Sequence, residues 1–165
     1  MNIFKSLATA LTACAVTVAP SLARIDAYTD NLLRTVDNSS VTVLIDPHYC
    51  DNSIYGSWNP QELELVVCTH GSVDAEDHDT VRHEVWHIVQ HCMTDRDATS
   101  LQPIFRDPQE YRDEILSRIS KEKVRKIMDA YPEFMHLVEI EAFVAAATLT
   151  SQEVEAAFIK ACIDR

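Results

Sequence analysis

Three residues of one short segment could carry out metal chemistry. The segment Thr80–His91 contains the pattern His83-Glu84-x-x-His87. On a helix, histidines four residues apart lie one turn above each other, so both imidazoles can bind one zinc ion. Glu84 lies beside them and can polarise a zinc-bound water. The pattern therefore indicates the chemistry of a metal-dependent hydrolase.

The residues around this motif predict the helix that the chemistry needs. An apolar stripe recurs at helical spacing, and the two histidines fall on the opposite side of the helical wheel. The stripe consists of Val81, Val85, Ile88, Val89 and Cys92. Asp77 or Asp79 can cap the start of this helix. The sequence thus predicts one face toward the core and one toward a cleft; the alternative is a solvent-facing histidine pair on an ordinary amphipathic helix.

Composition argues against two large classes of function. The chain has 165 residues and a net charge of −12, from 26 acidic and 14 basic residues. Such a charge repels a phosphate backbone, and no basic stripe interleaved with aromatic residues is present, so we expect no nucleic-acid partner. The chain has only two glycines. They leave no glycine-rich phosphate loop, so we expect no nucleotide either.

The amino terminus has the form of a secretory signal peptide. Lys5 precedes an apolar run from Leu7 to Ala19, and small residues precede Arg24. We therefore predict a signal peptide at residues 1–23 and a single domain at 24–165. The run is too short for a spanning helix, so no stable membrane insertion is expected after cleavage. The alternative is a lipoprotein attached through Cys14, although the chain stays apolar well beyond that cysteine.

The four cysteines of the mature chain predict disulfides in a secreted or periplasmic protein. They are Cys50, Cys68, Cys92 and Cys162. An even number of cysteines in an exported chain favours disulfides, and four cysteines allow three pairings. No Cys-x-x-Cys spacing suggests a thiolate zinc cage.

Strand patterns favour one of these pairings. Two strong strand candidates, residues 41–46 and 62–67, flank a weaker one near residues 53–56. An antiparallel meander of these strands brings Cys50 and Cys68 to the same end. We therefore favour Cys50 with Cys68, and Cys92 with Cys162.

Helical patterns dominate the chain after Cys92. Helices are predicted at residues 107–120, 121–130, 132–148 and from 150 or 151 to the end. The third of these is apolar on nearly every side, which is typical of a buried helix. We therefore predict an α+β fold in which a short antiparallel or mixed sheet precedes a mostly helical part, with the metal site between two helices.

A catalytic zinc site usually has three protein ligands, so one more is needed. His91 lies on the motif helix itself, and three ligands from successive turns of one straight helix do not converge on one ion. Gln90 and Met93 occupy the positions where a metzincin has a glycine and a third histidine. The buried helix offers two better candidates, Glu139 and Glu141, whose side chains leave it about 200° apart.

His83-Glu84-x-x-His87 with a downstream glutamate resembles the gluzincins, a group of zincin-type zinc metallopeptidases. The resemblance implies a small zincin-like domain with one zinc ion bound by His83, His87 and Glu139. Glu139 precedes the small residue Ala142 by three positions, as in several such families; Glu141 is the alternative, because in other gluzincins an alanine directly follows the ligand.

The resemblance also implies an activity. The protein would be a secreted zinc metallopeptidase that hydrolyses peptide or protein substrates, with Glu84 as general base for a zinc-activated water. The strand before the motif helix, Glu62–Cys68, would bind extended substrate at its edge. Candidates for stabilising the oxyanion are His136, Tyr131, Tyr111 and His91.

Two other functions stay open from sequence. One is an inactive zincin-like scaffold that acts as a secreted binding protein, although the intact Glu84 argues against it. The other is a small helical interaction or toxin-like protein in which the motif is accidental. Bound zinc would exclude the interaction or toxin-like protein. Peptide cleavage would then distinguish an active enzyme from the inactive scaffold.

Overall fold

The computed structural model describes residues 27–51, 55–70, 75–94, 101–104 and 115–164. The proposed signal peptide, Cys14, Arg24 and Tyr111 lie outside these ranges. Within them the chain forms a mixed α+β domain, as predicted. The first part contains helix α1 (Ala27–Asp37), strands β1 (Thr42–Ile45), β2 (Gly56–Asn59) and β3 (Glu64–Val67), and the long helix α2 (Ala75–Thr94).

The second part is helical. It contains α3 (Lys121–Ala130), a 3-10 turn (Glu133–Met135), α4 (His136–Thr148), α5 (Ser151–Phe158) and a closing π-helical turn (Ile159–Ile163). Residues 115–118 are also helical, residues 119 and 120 are not, and residues 107–114 of the predicted 107–120 helix lie outside the described ranges. The predicted caps of two helices are confirmed. Ser120 accepts a hydrogen bond from the Lys123 backbone, and Thr150 forms a capping box with Glu153.

The sheet has the order β1-β3-β2, so the predicted antiparallel meander is wrong. β3 is the central strand; it pairs in parallel with β1 and antiparallel with β2. Strand β2, the second along the chain, forms at Gly56–Asn59 and lies at the edge of the sheet next to α2. Burial explains this order, because Leu65, Val66 and Val67 of β3 are all buried. The most apolar strand occupies the centre of the sheet.

Both predicted disulfides are present. The Cα atoms of Cys50 and Cys68 are 5.6 Å apart, and those of Cys92 and Cys162 are 5.3 Å apart. The first pairing survives the change of topology because β1 and β3 run in the same direction and therefore end at the same side of the sheet. The second joins the end of α2 to the closing turn after α5. Each bridge typically stabilises a small domain by about 2–4 kcal/mol.

Helix α2 lies between two hydrophobic clusters. On one side, its apolar stripe packs with α1, β1, β3 and α5, around Leu32, Val85 and Phe158. On the other side, α4 crosses it and packs in turn against α3. His83 and His87 point away from the apolar stripe, toward α4. Among the described helices, none has the length and apolar character needed to cross a membrane.

The start of α2 differs from expectation. The helix begins at Ala75, so Asp77 and Asp79 lie inside it and neither is its N-cap. Asp79 instead forms an ion pair with Arg82, one turn further along.

Candidate metal centre

Helix α2 brings the two motif histidines together, as their spacing predicts. The imidazole rings of His83 and His87 lie edge to face, with centroids 4.7 Å apart. Their Nε2 atoms are 3.1 Å apart, and both side chains are buried. The two Nε2 atoms therefore point at a common position, on the side of α2 that faces α4.

Helix α4 contributes Glu139 to the same position. Its carboxylate oxygens lie 3.3 Å from Nε2 of His83 and 3.6 Å from Nε2 of His87. Among the described residues, these three form the one group of three or more potential metal-ligating side chains that converge, with the ligand atoms all within 4.8 Å of one another. This buried group could hold a metal ion, and it lies between two helices, as predicted.

Glu141 points elsewhere, which removes it from the candidate ligands. Its carboxylate accepts hydrogen bonds from the indole Nε1 of Trp86 at 3.2 Å and from the backbone N of Ile104 at 2.8 Å. Glu141 is 1% exposed. A carboxylate buried so deeply needs such donors, and this one ties α2, α4 and the segment 101–104 together.

Small residues on α4 allow the close approach of the two helices. Ala142 and Ala146 are buried, on the side of α4 that carries Glu139. Nε of Arg82 donates a hydrogen bond to the backbone oxygen of Ala146 at 3.0 Å, so the contact continues along both helices. Bulkier side chains at these two positions would push the ligand helices apart.

The charges in the group favour an ionised carboxylate beside two imidazoles. Burial alone would raise the pKa of Glu139, but the adjacent His83 and His87 lower it to about 2. Burial lowers the pKa of His87, yet contact with Glu139 and the charges of Glu84 and Glu139 outweigh burial and raise it. The group of His83, His87 and Glu139 thus favours a positive charge between its side chains.

The dimensions of the group fit a tetrahedral ion. With bonds of about 2.0–2.1 Å, the ligand atoms of a tetrahedral zinc lie about 3.4 Å apart. The two Nε2 atoms are 3.1 Å apart, Oε2 of Glu139 lies 3.3 Å from Nε2 of His83, and its other oxygen, Oε1, lies 3.6 Å from Nε2 of His87, all close to that value. Nδ1 of His83 and Oε2 of Glu139 are buried without a hydrogen bond in the described structure. A bound cation would give the glutamate oxygen the partner that its burial requires.

A cleft of about 590 Å³ adjoins this group at His83. His83 and Glu84 line it from α2, and Tyr131 and Phe143 line it from the opposite wall. Burial raises the pKa of Glu84, against the charges of His83 and His87. A carboxylate with a raised pKa at the border of a cleft is suited to accept and release a proton.

The strand at the cleft is β2, not the predicted Glu62–Cys68. That segment contains β3, which is paired on both sides and has no free edge. Gly56 at the start of β2 lines the cleft, and no described strand pairs with the outer side of β2. The prediction of a substrate-binding edge at Glu62–Cys68 was wrong because β3, the last strand before α2, lies at the centre of the sheet.

Of the four candidates for oxyanion stabilisation, Tyr131 lines the cleft. Burial and the negative charges of Glu139 and Glu84 raise the pKa of Tyr131 to about 12. His136 instead bonds through Nε2 to the backbone oxygen of Tyr131 at 2.8 Å. His91 is buried on another side of α2, with its ring 5.8 Å from that of Trp58. Tyr111 lies outside the described residues.

Two residues of the site were not anticipated from sequence. Gly56 lets β2 approach α2, and Gln90 contacts His87 one turn along the helix. The spacing of three residues between His87 and Gln90 was the available signal for the second contact. No sequence signal was available for Gly56, because its role depends on where strand β2 packs against α2 in the folded chain.

Comparisons with known proteins identified no relative of this chain. No protein-family model, no curated protein and no solved structure matches the chain. The His83–His87–Glu139 group and the cleft beside it therefore carry the functional argument.

Proposed function

We propose that this protein is a zinc metallopeptidase. The observation that carries the proposal is the convergence of His83, His87 and Glu139 beside a cleft that Glu84 also lines. Two histidines and a glutamate are a ligand set of catalytic zinc sites in peptidases, and three protein ligands leave one position open. The family resemblance of the motif supports the same activity.

In this proposal, each residue around the cleft has a distinct part. A zinc ion held by His83, His87 and Glu139 would supply Lewis-acid catalysis and lower the pKa of a bound water. Glu84 accepts the proton of the attacking water and passes it to the leaving amine. The phenol of Tyr131, with a pKa of about 12, is protonated at neutral pH, so the hydroxyl can donate a hydrogen bond to the developing oxyanion.

The cleft suits an extended peptide. Its open shape admits a chain, and the outer edge of β2 offers backbone N–H and C=O groups beside Glu84, with which an extended substrate can pair. Tyr131 and Phe143 on the facing wall would contact substrate side chains. Peptides and unfolded proteins are therefore the proposed substrates.

The test compares zinc content with hydrolysis in two variants. Glu84→Gln keeps the shape of the side chain but removes its basicity, so zinc should stay bound while cleavage of a quenched fluorescent peptide library is lost. His83→Ala should lose both. A zinc-loaded wild-type protein that cleaves no peptide would reject the peptidase and favour the inactive scaffold. Hydrolysis that survives in Glu84→Gln would reject the role of this residue.

The two disulfides indicate an oxidising environment, either extracellular or periplasmic. We propose that residues 1–23 direct the chain there and are then removed. Sequencing the amino terminus of the exported protein tests this, with Arg24 expected as the first residue. A lipid-modified Cys14 at the amino terminus would instead establish the lipoprotein.

A further inference from the structure

Gln90 is a fully buried amide that lies between the two ligand-bearing helices. Its exposed fraction is 0%. Its Oε1 lies 2.8 Å from Nδ1 of His87, and its Nε2 donates to the backbone oxygen of Val138 at 3.1 Å. Val138 directly precedes Glu139 on α4. One side chain thus contacts a candidate ligand on α2 and the backbone beside another on α4.

The two contacts together determine which atom of the His87 ring carries the proton. A backbone carbonyl oxygen can only accept a hydrogen bond, so the group that faces Val138 must be the NH₂ of the amide. The amide oxygen must then face His87. Because this oxygen can only accept, Nδ1 of His87 must donate and therefore carries the hydrogen.

This tautomer has a consequence for the metal centre. With the hydrogen of the neutral ring on Nδ1, the lone pair of His87 is on Nε2. That atom faces Nε2 of His83 and lies 3.6 Å from the carboxylate of Glu139. Metal ions bind the unprotonated nitrogen of imidazole, and the hydrogen bond at the other nitrogen fixes the tautomer and the orientation of the ring.

We propose that Gln90 is a positioning residue of the metal centre. It holds His87 in the tautomer that presents a lone pair to the ion, and its bond to Val138 O holds Glu139 at ligand distance across the helix interface. The inference rests on the metal site of the proposed function, but not on peptide hydrolysis. A purely structural role would require only that the amide be satisfied within the core.

Two variants separate the bonds of Gln90. Gln90→Met fills a similar volume and removes both hydrogen bonds. Gln90→Glu keeps an acceptor for Nδ1 of His87 but loses the donor to Val138 O. Ser151→Ala is the matched control, because Ser151 is also buried and shares a 2.8 Å hydrogen bond with Thr29 between α1 and α5, away from the site.

Zinc affinity, measured by competition with a chelator, is the first readout. Loss of such a supporting contact typically weakens metal binding about 10- to 100-fold. We expect a loss of this size in Gln90→Met, a smaller one in Gln90→Glu, and wild-type affinity in Ser151→Ala. Equal affinity in wild type and Gln90→Met would overturn the proposal.

The tautomer of His87, read from imidazole ¹⁵N chemical shifts in the metal-free protein at a pH where the ring is neutral, is the second readout. The wild type should show the Nδ1–H form, and Nε2–H as its main form would overturn the proposal even if Gln90→Met does not fold. Zinc binding without peptide cleavage would reject only the peptidase. A wild-type protein that binds no zinc would overturn both.

Discussion

A Cβ atom added at Gly56 would lie 2.8 Å from Cγ of Glu84 and 2.8 Å from Cγ2 of Thr80. Real Cβ atoms essentially never come so close to another heavy atom, so strand β2 passes α2 at a distance that only glycine allows. The edge of the sheet is thereby placed against the proposed general base.

The first prediction follows from this contact. Gly56→Ala should displace the Glu84 side chain or move β2 outward, because the added methyl group would overlap Cγ of Glu84 and the methyl group of Thr80. We expect a loss of stability of about 1–3 kcal/mol and a larger loss of hydrolysis than of zinc affinity. Urea unfolding, zinc titration and peptide cleavage measure the three effects.

Ser57→Ala, at the next and exposed position of β2, is the control for this variant. It should leave all three quantities close to those of wild type. If Gly56→Ala cleaved peptides as fast as wild type, the close approach of β2 to Glu84 would have no part in activity.

The second prediction concerns Tyr131. Tyr131→Phe removes the phenol hydroxyl, which is protonated at neutral pH and also hydrogen-bonds to Glu139. Loss of one oxyanion donor typically lowers kcat about 10²- to 10³-fold. We expect a decrease of this order in kcat, with a much smaller change in zinc affinity because the three ligands are kept. Tyr49→Phe, which alters an exposed tyrosine that bonds to Glu64, should have no effect. Full activity in Tyr131→Phe would assign the oxyanion to another donor.

The third prediction separates the two carboxylates of α4. Glu139→Gln should weaken zinc binding by about an order of magnitude or more, because an amide is a far weaker ligand than a carboxylate. Glu141→Gln should keep zinc affinity but lower the free energy of unfolding by about 1–3 kcal/mol, since Trp86 and Ile104 donate to different carboxylate oxygens and an amide has only one oxygen. Zinc titration and thermal unfolding of the two variants test this. The reverse order of zinc affinities would transfer the ligand role to Glu141.

The choice between these two glutamates shows how far sequence reasoning reached. Helical periodicity predicted that they leave α4 on different sides, and the family pattern of a small residue three positions after the ligand favoured Glu139. The partners of Glu141 were not predictable, because Trp86 and Ile104 meet it only through tertiary packing.

In the rest of the fold, local features were likewise predictable from sequence and long-range contacts were not. Local patterns predicted α3, α5 and their caps, because capping depends on residues three positions apart. The sheet order was wrong because strand neighbours depend on pairing over long distances along the chain. Helix α1 was not anticipated, although Leu32, Leu33 and Val36 on its buried face were an available helical signal.

The fourth prediction is a pH dependence of stabilisation by zinc. In the metal-free protein the raised pKa of His87 contributes stability below its unfolded pKa of about 6.5, and this is lost as the pH rises through the folded pKa. The lowered pKa of Glu139 contributes stability above its unfolded value, which is lost as the pH falls toward about 2. Zinc binding requires both side chains to be unprotonated.

The increase in Tm on adding zinc should therefore grow as the pH is raised from about 5 to 8, across the range in which histidine titrates. Thermal unfolding with zinc and with a chelator, at a series of pH values, measures it. His83→Ala is the control and should show little increase at any pH. A zinc-induced increase that is the same at every pH would mean that the ion binds elsewhere.

The most direct test of the metal centre is anomalous diffraction from crystals grown with zinc, with data collected on both sides of the zinc absorption edge. We expect one strong anomalous peak in contact with Nε2 of His83, Nε2 of His87 and the carboxylate of Glu139, beside Glu84 and open to the cleft. Zinc-containing crystals with no peak at this position, or with the peak at Glu141, would contradict the account.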